Sequence, residues 1–129
     1  IVALNIAAMS EALVLGTKAG VDPETIYNAI RGGLAGSTVL DAKAPMLLER
    51  NFKPGFKIDL HIKDLANALE TGHEVGVPLP LTSLAMEIMQ SLKIEGKGQN
   101  DHGGIIQFYE RLAKIEVRRK QTVEGNDIL

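Results

Sequence analysis

A lysine and an aspartate stand side by side early in an amphipathic segment, and they are the first candidates for chemistry. Lys63 and Asp64 follow a Pro-Gly loop and lie about one turn inside a segment with helical periodicity. A lysine ammonium there is a compact charge that can donate to a cofactor amide, a ribose or a substrate carboxylate. Spacing alone favours another interpretation, a surface lysine paired with Asp59 or Asn67, and an aspartate that stabilises the positive helix start.

Phe56 and Ser37 each precede a predicted helix and are candidates for contacts with a substrate. Phe56 lies between Gly55 and Lys57. It is predicted to be a hydrophobic staple for the following helix, and the other interpretation is an aromatic wall of a pocket. Ser37 closes a glycine-rich run that follows a helix and lacks the Lys-Ser/Thr of a phosphate-binding loop. A helix cap is therefore favoured for Ser37, although that helix start can also face an anionic substrate.

The three histidines and the absence of cysteine limit the chemistry further. His61, His73 and His102 are too scattered for a helical His-x-x-x-His pair, so we predict no metal site. No cysteine is present, which excludes disulfides, thiolate ligands and a cysteine nucleophile, and which fits the cytoplasm. The sequence has no identifiable Ser-His-Asp arrangement and no Gly-x-Gly-x-x-Gly after a strand. We therefore predict no catalytic residue within this chain.

The elements that must position these residues are helices built from aliphatic side chains. The chain has 129 residues, which fits one domain, and it is 45% hydrophobic but only 4% aromatic, without tryptophan. This composition is typical of packed helices rather than of a sandwich. The net charge of −2 gives no reason to expect a nucleic-acid or anionic-membrane partner. The apolar run over residues 1–8 lacks a basic flank and contains Asn5, so it is neither a signal peptide nor a membrane span.

Apolar periodicity with capping residues predicts six helices and no strand. The predicted ranges are about 1–19, 22–31, 38–48, 59–75, 82–94 and 103–119. Pro45 is expected to bend or divide the third helix, and Asp101 to cap the sixth. In the fourth helix a stripe of four residues is predicted to face the core: Ile62, Leu65, Ala66 and Leu69. The sequence thus predicts an all-α bundle of about six helices over residues 1–120, with a flexible tail over 121–129.

Three segments carry a family resemblance that covers about residues 1–118: IVALNIAAMSEAL, AGVDPETIYNAIRGGLAGSTVLDAKAP and FKPGFKIDLHIKDLANAL. They resemble the C-terminal domain of β-hydroxyacid dehydrogenases. The resemblance implies an all-α fold like the C-terminal domain of 6-phosphogluconate dehydrogenase, and a homo-oligomer. It also implies an N-terminal Rossmann domain, outside this chain, that binds most of an NAD or NADP cofactor. The resemblance further implies that the family's catalytic lysine falls a turn or two before Ile1.

The resemblance assigns roles to the candidates already identified. Lys63 matches the family lysine that reaches the bound nicotinamide cofactor, whereas Phe56 and Asp64 match positions on the substrate side. Ser37 is a further substrate-binding candidate. The implied reaction is hydride transfer to the aldehyde carbon of a short semialdehyde, which yields a hydroxy acid. A non-catalytic helical module that mediates dimerisation is the alternative.

The segment Asp101–Gly104 departs from the family pattern. Relatives usually have Ser-Ala where this chain has Gly103 and Gly104. Two glycines are expected to loosen the start of the last helix. This substitution weakens the case for an active-site contribution from that helix.

Overall fold

Six α-helices and one short 3-10 helix form the fold in the computed structural model, which describes residues 1–121. The helices are α1 (Val2–Lys18), α2 (Pro23–Ile30), α3 (Thr38–Leu48), α4 (Ile58–Val75), α5 (Pro80–Ile94) and α6 (Ile106–Ala113), with the 3-10 helix at His102–Ile105. Within the described range, β pairing is limited to an isolated bridge between Lys57 and Asp101. The predicted all-α bundle is confirmed, while residues 122–129 of the predicted tail lie outside the described residues.

Helix α1 is the central element of the bundle. It packs against α2, α3, α5, α6 and the 3-10 helix, and its Ile6 and Leu13 are fully buried. Ser10 is buried among them because its hydroxyl donates to the Ile6 carbonyl at 2.6 Å, which satisfies the polar group inside the helix. Fully buried aliphatic side chains from the other elements complete the core: Leu40, Leu47, Leu48, Ile58, Met89, Leu92, Ile105 and Ile106. Burying each such side chain stabilises the fold by about 1.5–3 kcal/mol.

Local capping signals set the beginnings of several helices. Pro23 occupies the first turn of α2 after Asp22, whose side chain makes no capping hydrogen bond. The Ser37 hydroxyl accepts a hydrogen bond from the Leu40 backbone N–H at 2.9 Å and caps α3. The Asp101 carboxylate accepts from the Gly103 N–H at 2.9 Å and so caps the 3-10 helix that leads into α6. The predicted caps at Ser37 and Asp101 are confirmed.

Pro45 does not divide α3, which corrects one of the two outcomes expected for it. The helix is continuous from Thr38 to Leu48 with Pro45 inside it. The carbonyl that loses its partner belongs to Asp41, an exposed residue, so water can satisfy it. Buried Ala44, with Leu47 and Leu48, meanwhile keeps the helix on the core.

The buried stripe predicted for α4 is only partly correct. Ile62 is buried, Leu65 and Leu69 are half-buried, and Ala66 is exposed. Helix α4 packs mainly against α5, so most of its length has one neighbouring helix rather than two. A half-covered helix buries a narrower stripe than a central one.

The last three predicted boundaries also shift. Helix α4 begins at Ile58 and α5 at Pro80, each one or two residues before the predicted start. Helix α6 ends at Ala113, well before the predicted residue 119, because Lys114 adopts a left-handed conformation with φ of 54°. The chain then turns back so that Val117 is fully buried. Among the described residues no helix is long and apolar enough to cross a membrane.

Candidate functional site

The loop that carries Phe56 is fixed by backbone hydrogen bonds to residues 98–102. The Asp101 N–H donates to the Phe52 carbonyl at 2.9 Å, and the His102 N–H donates to the Phe56 carbonyl at 2.7 Å. At the start of α4 the Ile58 N–H donates to the Asn100 carbonyl at 2.9 Å. The beginning of α4 and the segment before the 3-10 helix are therefore held together as one unit.

Three rings meet at this junction, and we call them the Phe56 cluster: Phe56, His61 and His102. The Phe56 ring centroid lies 5.5 Å from that of His61 and 5.2 Å from that of His102. The two imidazoles approach each other with their Nδ1 atoms 3.0 Å apart. Both histidines are buried, whereas Phe56 is half-buried and presents part of its ring to solvent.

The imidazole contact requires a proton on one Nδ1 and a lone pair on the other, so at least one of the two rings is neutral. Burial, together with the nearby charge of Lys43, lowers the pKa of His102 to about 4 and outweighs the opposing effect of Asp101. Burial also lowers the pKa of His61, against an opposing effect from Asp64. The pair is therefore uncharged at neutral pH.

The contact between His61 and His102, which are 41 positions apart, was not foreseen from the sequence. A usable signal was present, because His61 lies on the same helical face as Ile58 and Ile62 and was therefore due to be buried. His73 is exposed in the last turn of α4, away from this pair. Residues 1–121 contain no group of three or more side chains placed to hold a metal ion.

Lys63 and Asp64 form an exposed pair in α4, two and three positions after His61. The Lys63 ammonium lies 3.3 Å from the Asp64 carboxylate, and their side chains are 65% and 50% exposed. The partner is thus neither Asp59 nor Asn67, the two residues considered from spacing. Such an exposed ion pair contributes about 0–1 kcal/mol, so the fold does not depend on it. Both groups are therefore accessible to a ligand.

Ser37 lies in a different place from these residues. Its hydroxyl caps α3, and the side chain lines a groove of about 290 Å³ between α1 and the loop over residues 31–37. Asn5 and Met9 line the opposite wall of this groove. None of the residues that line it belongs to the Phe56 cluster. The structure places Phe56 against His61 and His102, pairs Lys63 with Asp64 on the surface of α4, and leaves Ser37 in the groove beside α1.

Gly103 and Gly104 do not loosen the start of the last helix, which corrects the expectation from sequence. Both are buried in the 3-10 helix, and their N–H groups donate to the Asp101 side chain and carbonyl, respectively. A Cβ atom at position 103 would lie 3.0 Å from the Asp101 carboxylate and 3.3 Å from Leu47. Glycine there permits a close approach rather than a flexible hinge.

Comparison with known proteins gives one consistent family. Residues 1–109 match the sequence model described as "NAD-binding of NADP-dependent 3-hydroxyisobutyrate dehydrogenase". Over 113 residues the chain is 42% identical to 2-hydroxy-3-oxopropionate reductase of Escherichia coli (strain K12), covering 88% of this chain and 39% of that protein. It is 38% identical to 2-(hydroxymethyl)glutarate dehydrogenase of Eubacterium barkeri, covering 88% of this chain and 38% of the relative.

A solved structure agrees with this result. The crystal structure of 3-hydroxyisobutyrate dehydrogenase from Salmonella typhimurium superposes with a TM-score of 0.78 at 25% identity, over 82% of this chain and 37% of that one. The chain thus spans less than two-fifths of the length of these three proteins. It belongs to the NAD-binding domain family of the 3-hydroxyisobutyrate dehydrogenases, within the hydroxyacid dehydrogenases that its sequence resembles.

Proposed function

We propose that this chain is the helical C-terminal domain of an NAD(P)-dependent oxidoreductase that reduces tartronate semialdehyde (2-hydroxy-3-oxopropionate) to glycerate. The observation that carries the proposal is the exposed Lys63–Asp64 pair in the first half of α4, the helix that the half-buried Phe56 precedes. The 42% identity to a 2-hydroxy-3-oxopropionate reductase supports the choice of substrate. An N-terminal Rossmann domain ahead of Ile1 would hold most of the cofactor and the family's catalytic lysine.

Lys63 is the proposed cofactor-binding residue of this domain. Its ammonium is solvent-accessible and engaged only by the neighbouring exposed carboxylate in the described part of the chain, which fits a donor to the amide, ribose or phosphate oxygens of NAD or NADP. When bound, the nicotinamide supplies the hydride. Lys63 would hold the nicotinamide cofactor in place, and Phe56 would exclude water from the face of the nicotinamide that reacts.

Phe56, Asp64 and Ser37 are the proposed substrate-binding residues. The Asp64 carboxylate can accept a hydrogen bond from a substrate hydroxyl, while the adjacent Lys63 offsets its charge toward an anionic substrate. The lone pair of Ser37 is used by the Leu40 N–H, but its hydroxyl proton remains available as a donor. Ser37 would act from the groove beside α1, opposite the unit that holds Phe56.

We also propose a cytoplasmic homo-oligomer. Several large apolar side chains are exposed on α1 and α5, including Leu15, Leu81 and Leu84, and association would cover them. Light scattering coupled to size-exclusion chromatography of the full-length protein tests this point. A monomer at micromolar concentration would contradict it.

The substrate is tested by steady-state kinetics of the full-length protein with NADH and NADPH. Tartronate semialdehyde is expected to give the highest kcat/KM, ahead of succinic semialdehyde and of 3-hydroxyisobutyrate in the oxidative direction. The main alternative is 3-hydroxyisobutyrate, which appears in the description of the matched family. A higher kcat/KM for another substrate would replace tartronate semialdehyde as the proposed substrate. No turnover with any of them would favour a non-catalytic dimerisation module.

A further inference from the structure

The carboxylate of Asp101 joins three separate segments of the chain. Its Oδ1 accepts hydrogen bonds from the N–H groups of Gly55 and Phe56, both at 3.0 Å, and its Oδ2 accepts from Gly103 at 2.9 Å. The Lys43 ammonium of α3 lies 3.1 Å and 3.0 Å from the two oxygens. A carboxylate offers about four lone-pair sites, so these donors saturate it.

The charge on Asp101 is maintained although the side chain is only 1% exposed. Burial alone would raise its pKa, but hydrogen bonds from the Phe56 and Gly103 N–H groups, together with Lys43, outweigh burial and lower it. The group is therefore ionised throughout the neutral range. A buried carboxylate with this many charge-assisted bonds holds its partners in one geometry, because moving any of them leaves a buried charge less satisfied.

The position of Phe56 depends on this arrangement more than on its own packing. The Phe56 side chain is half-buried, with solvent on one side and the two imidazoles on the other. Its backbone, in contrast, is fixed at both ends of the peptide unit, because its N–H donates to Asp101 and its carbonyl accepts from His102 at 2.7 Å. Small backbone displacements at Phe56 would move the exposed part of its ring directly.

We infer that Asp101 is a positioning residue that fixes Phe56 on the substrate side of the active site, through the N–H groups of Gly55 and Phe56. The inference rests on the proposed function, in which Phe56 contacts the semialdehyde. Lys43 contributes to the same positioning because its ion pair connects the Asp101 carboxylate to α3. Asp101 itself acts only through the loop and is not a catalytic residue.

A double-mutant cycle in the full-length protein tests the inference, with tartronate semialdehyde and NADPH or NADH as substrates. Asp101→Asn keeps the size of the side chain but removes its charge, and it directs an amide NH₂ donor at the N–H and ammonium donors that surround Asp101. We expect it to raise the KM for the semialdehyde at least about tenfold, because a misplacement near 1 Å has large kinetic effects. The KM for NAD(P)H should stay within about twofold.

In a Phe56→Leu background, Asp101→Asn should raise the KM for the semialdehyde less than about threefold, because the residue it positions is already gone. Effects of the two substitutions that simply multiply would overturn the inference.

A second variant and a matched control keep the outcome clear. If Asp101→Asn does not fold, Lys43→Gln takes its place in the same cycle with the same criterion. The control is Glu110→Gln, another buried carboxylate with a basic partner, which bonds to Arg50 and the Val117 N–H rather than to the N–H groups of Gly55 and Phe56. It should lower Tm with the semialdehyde KM unchanged. An equal rise in KM for Glu110→Gln would show that Asp101 acts through general stability, and would refute positioning.

A structural measurement separates failure of this inference from failure of the proposed function. The Phe56 ring shifts the NMR resonances of the His61 and His102 ring protons, so its displacement in Asp101→Asn should change those shifts. Unchanged imidazole shifts would overturn the positioning of Phe56, whatever the enzyme does. A wild-type protein without turnover on any semialdehyde, but with the shift changes, would instead refute the proposed function.

Discussion

Two buried carboxylates, Asp101 before the 3-10 helix and Glu110 in α6, are held in similar ways and serve different ends. Their side chains are 1% and 6% exposed, and their basic partners Lys43 and Arg50 are 15% and 16% exposed. Each also accepts backbone N–H groups, from Gly55, Phe56 and Gly103 in one case and from Val117 at 2.6 Å in the other. The difference lies in the segment that each fixes.

Glu110 fixes the chain after α6, which closes the bundle. Arg50 donates to Glu110 at 2.7 Å and 3.1 Å and to the Val117 carbonyl at 3.1 Å, and the Arg119 N–H donates to Leu48. Asp101 fixes a loop that carries an exposed part of an aromatic ring. A buried carboxylate with a basic partner therefore supports packing in one region and, by our proposal, a substrate contact in the other.

The groove beside Glu110 shows why the volume of a groove is a poor guide to whether it binds a ligand. A groove of about 440 Å³ lies beside Glu110, and four cations line it: Arg50, Lys97, Arg111 and Lys114. Most of that charge is already used, since Lys97 and Arg111 both pair with Glu95 and Arg50 pairs with Glu110. Among residues 1–121, Lys63 pairs with one exposed carboxylate, so a ligand competes for it at little cost.

The largest expected effect is on stability, when the basic side chain that pairs with each buried carboxylate is replaced by methionine. Arg50→Met should lower the free energy of unfolding by about 3–5 kcal/mol, because it leaves the Glu110 charge buried with one backbone donor. Lys43→Met should cost about 1–3 kcal/mol, because three N–H groups still satisfy Asp101. Urea denaturation of the two variants measures the difference. Equal losses would show that the backbone donors contribute little to Asp101.

Acid should lower the free energy of unfolding through His102, because this buried histidine is harder to protonate than one in the unfolded chain. The unfolded chain protonates histidine near pH 6.5, but folded His102 resists protonation until pH about 4. The unfolded state thus binds more protons in this window, and stability falls as pH drops through it, by about 1.4 kcal/mol per pH unit and proton. We expect a loss of about 2–3 kcal/mol from His102 between those limits.

Chemical denaturation between pH 7 and pH 4 checks this dependence, and two variants localise it. His102→Gln should flatten the slope, whereas His73→Gln, at an exposed position in the last turn of α4, should leave it unchanged. Lys43 and Asp101 face His102, and Asp64 acts on His61, so the measurements belong in the Asp101-intact protein. An unchanged slope in His102→Gln would contradict the buried neutral pair.

Lys63→Ala should lower kcat/KM or the affinity for NAD(P)H at least about tenfold, equivalent to about 1.4 kcal/mol. The physical reason is the loss of a fixed cationic donor from the cofactor. Its matched control on the Glu110 side is Lys97→Ala, which removes another lysine with an adjacent acidic partner. Fluorescence titration with NAD(P)H and steady-state kinetics report both numbers. Normal kinetics for Lys63→Ala would remove it from the site.

The sequence predicted those features of the fold that depend on neighbours within a few positions. The starts of α2 and α3 follow from Pro23 and from Ser37, because proline suits the first turn of a helix and capping acts over three residues. The end of α6 was wrong because the chain turns at Lys114 and the segment after it is held by Arg50, 60 positions from Glu110. No local pattern records such a distant ion pair.

The candidate site divides in the same way. The contact of His61 with His102 spans 41 positions and was missed, although the burial of His61 was readable from helical spacing. The residue types of Lys63, Phe56 and Asp64 indicated nothing specific, and their assignment came from the family resemblance. The structure shows Lys63 paired with Asp64 and Phe56 against the two histidines, and their roles stay predictions until the variants are measured.

The smallest effect concerns Ser37, which belongs to neither carboxylate unit and therefore tests whether substrate contacts extend beyond the Phe56 side. Ser37→Ala should cost about 1 kcal/mol of stability, because the Leu40 N–H loses its cap. Ser37→Asn keeps a capping oxygen and should restore stability, measured as Tm. If the hydroxyl also donates to the substrate, both variants should raise the semialdehyde KM by about threefold to tenfold, since a net hydrogen bond is worth about 1 kcal/mol. Full recovery of KM together with Tm in Ser37→Asn would restrict Ser37 to capping and leave substrate recognition to the Phe56 side alone.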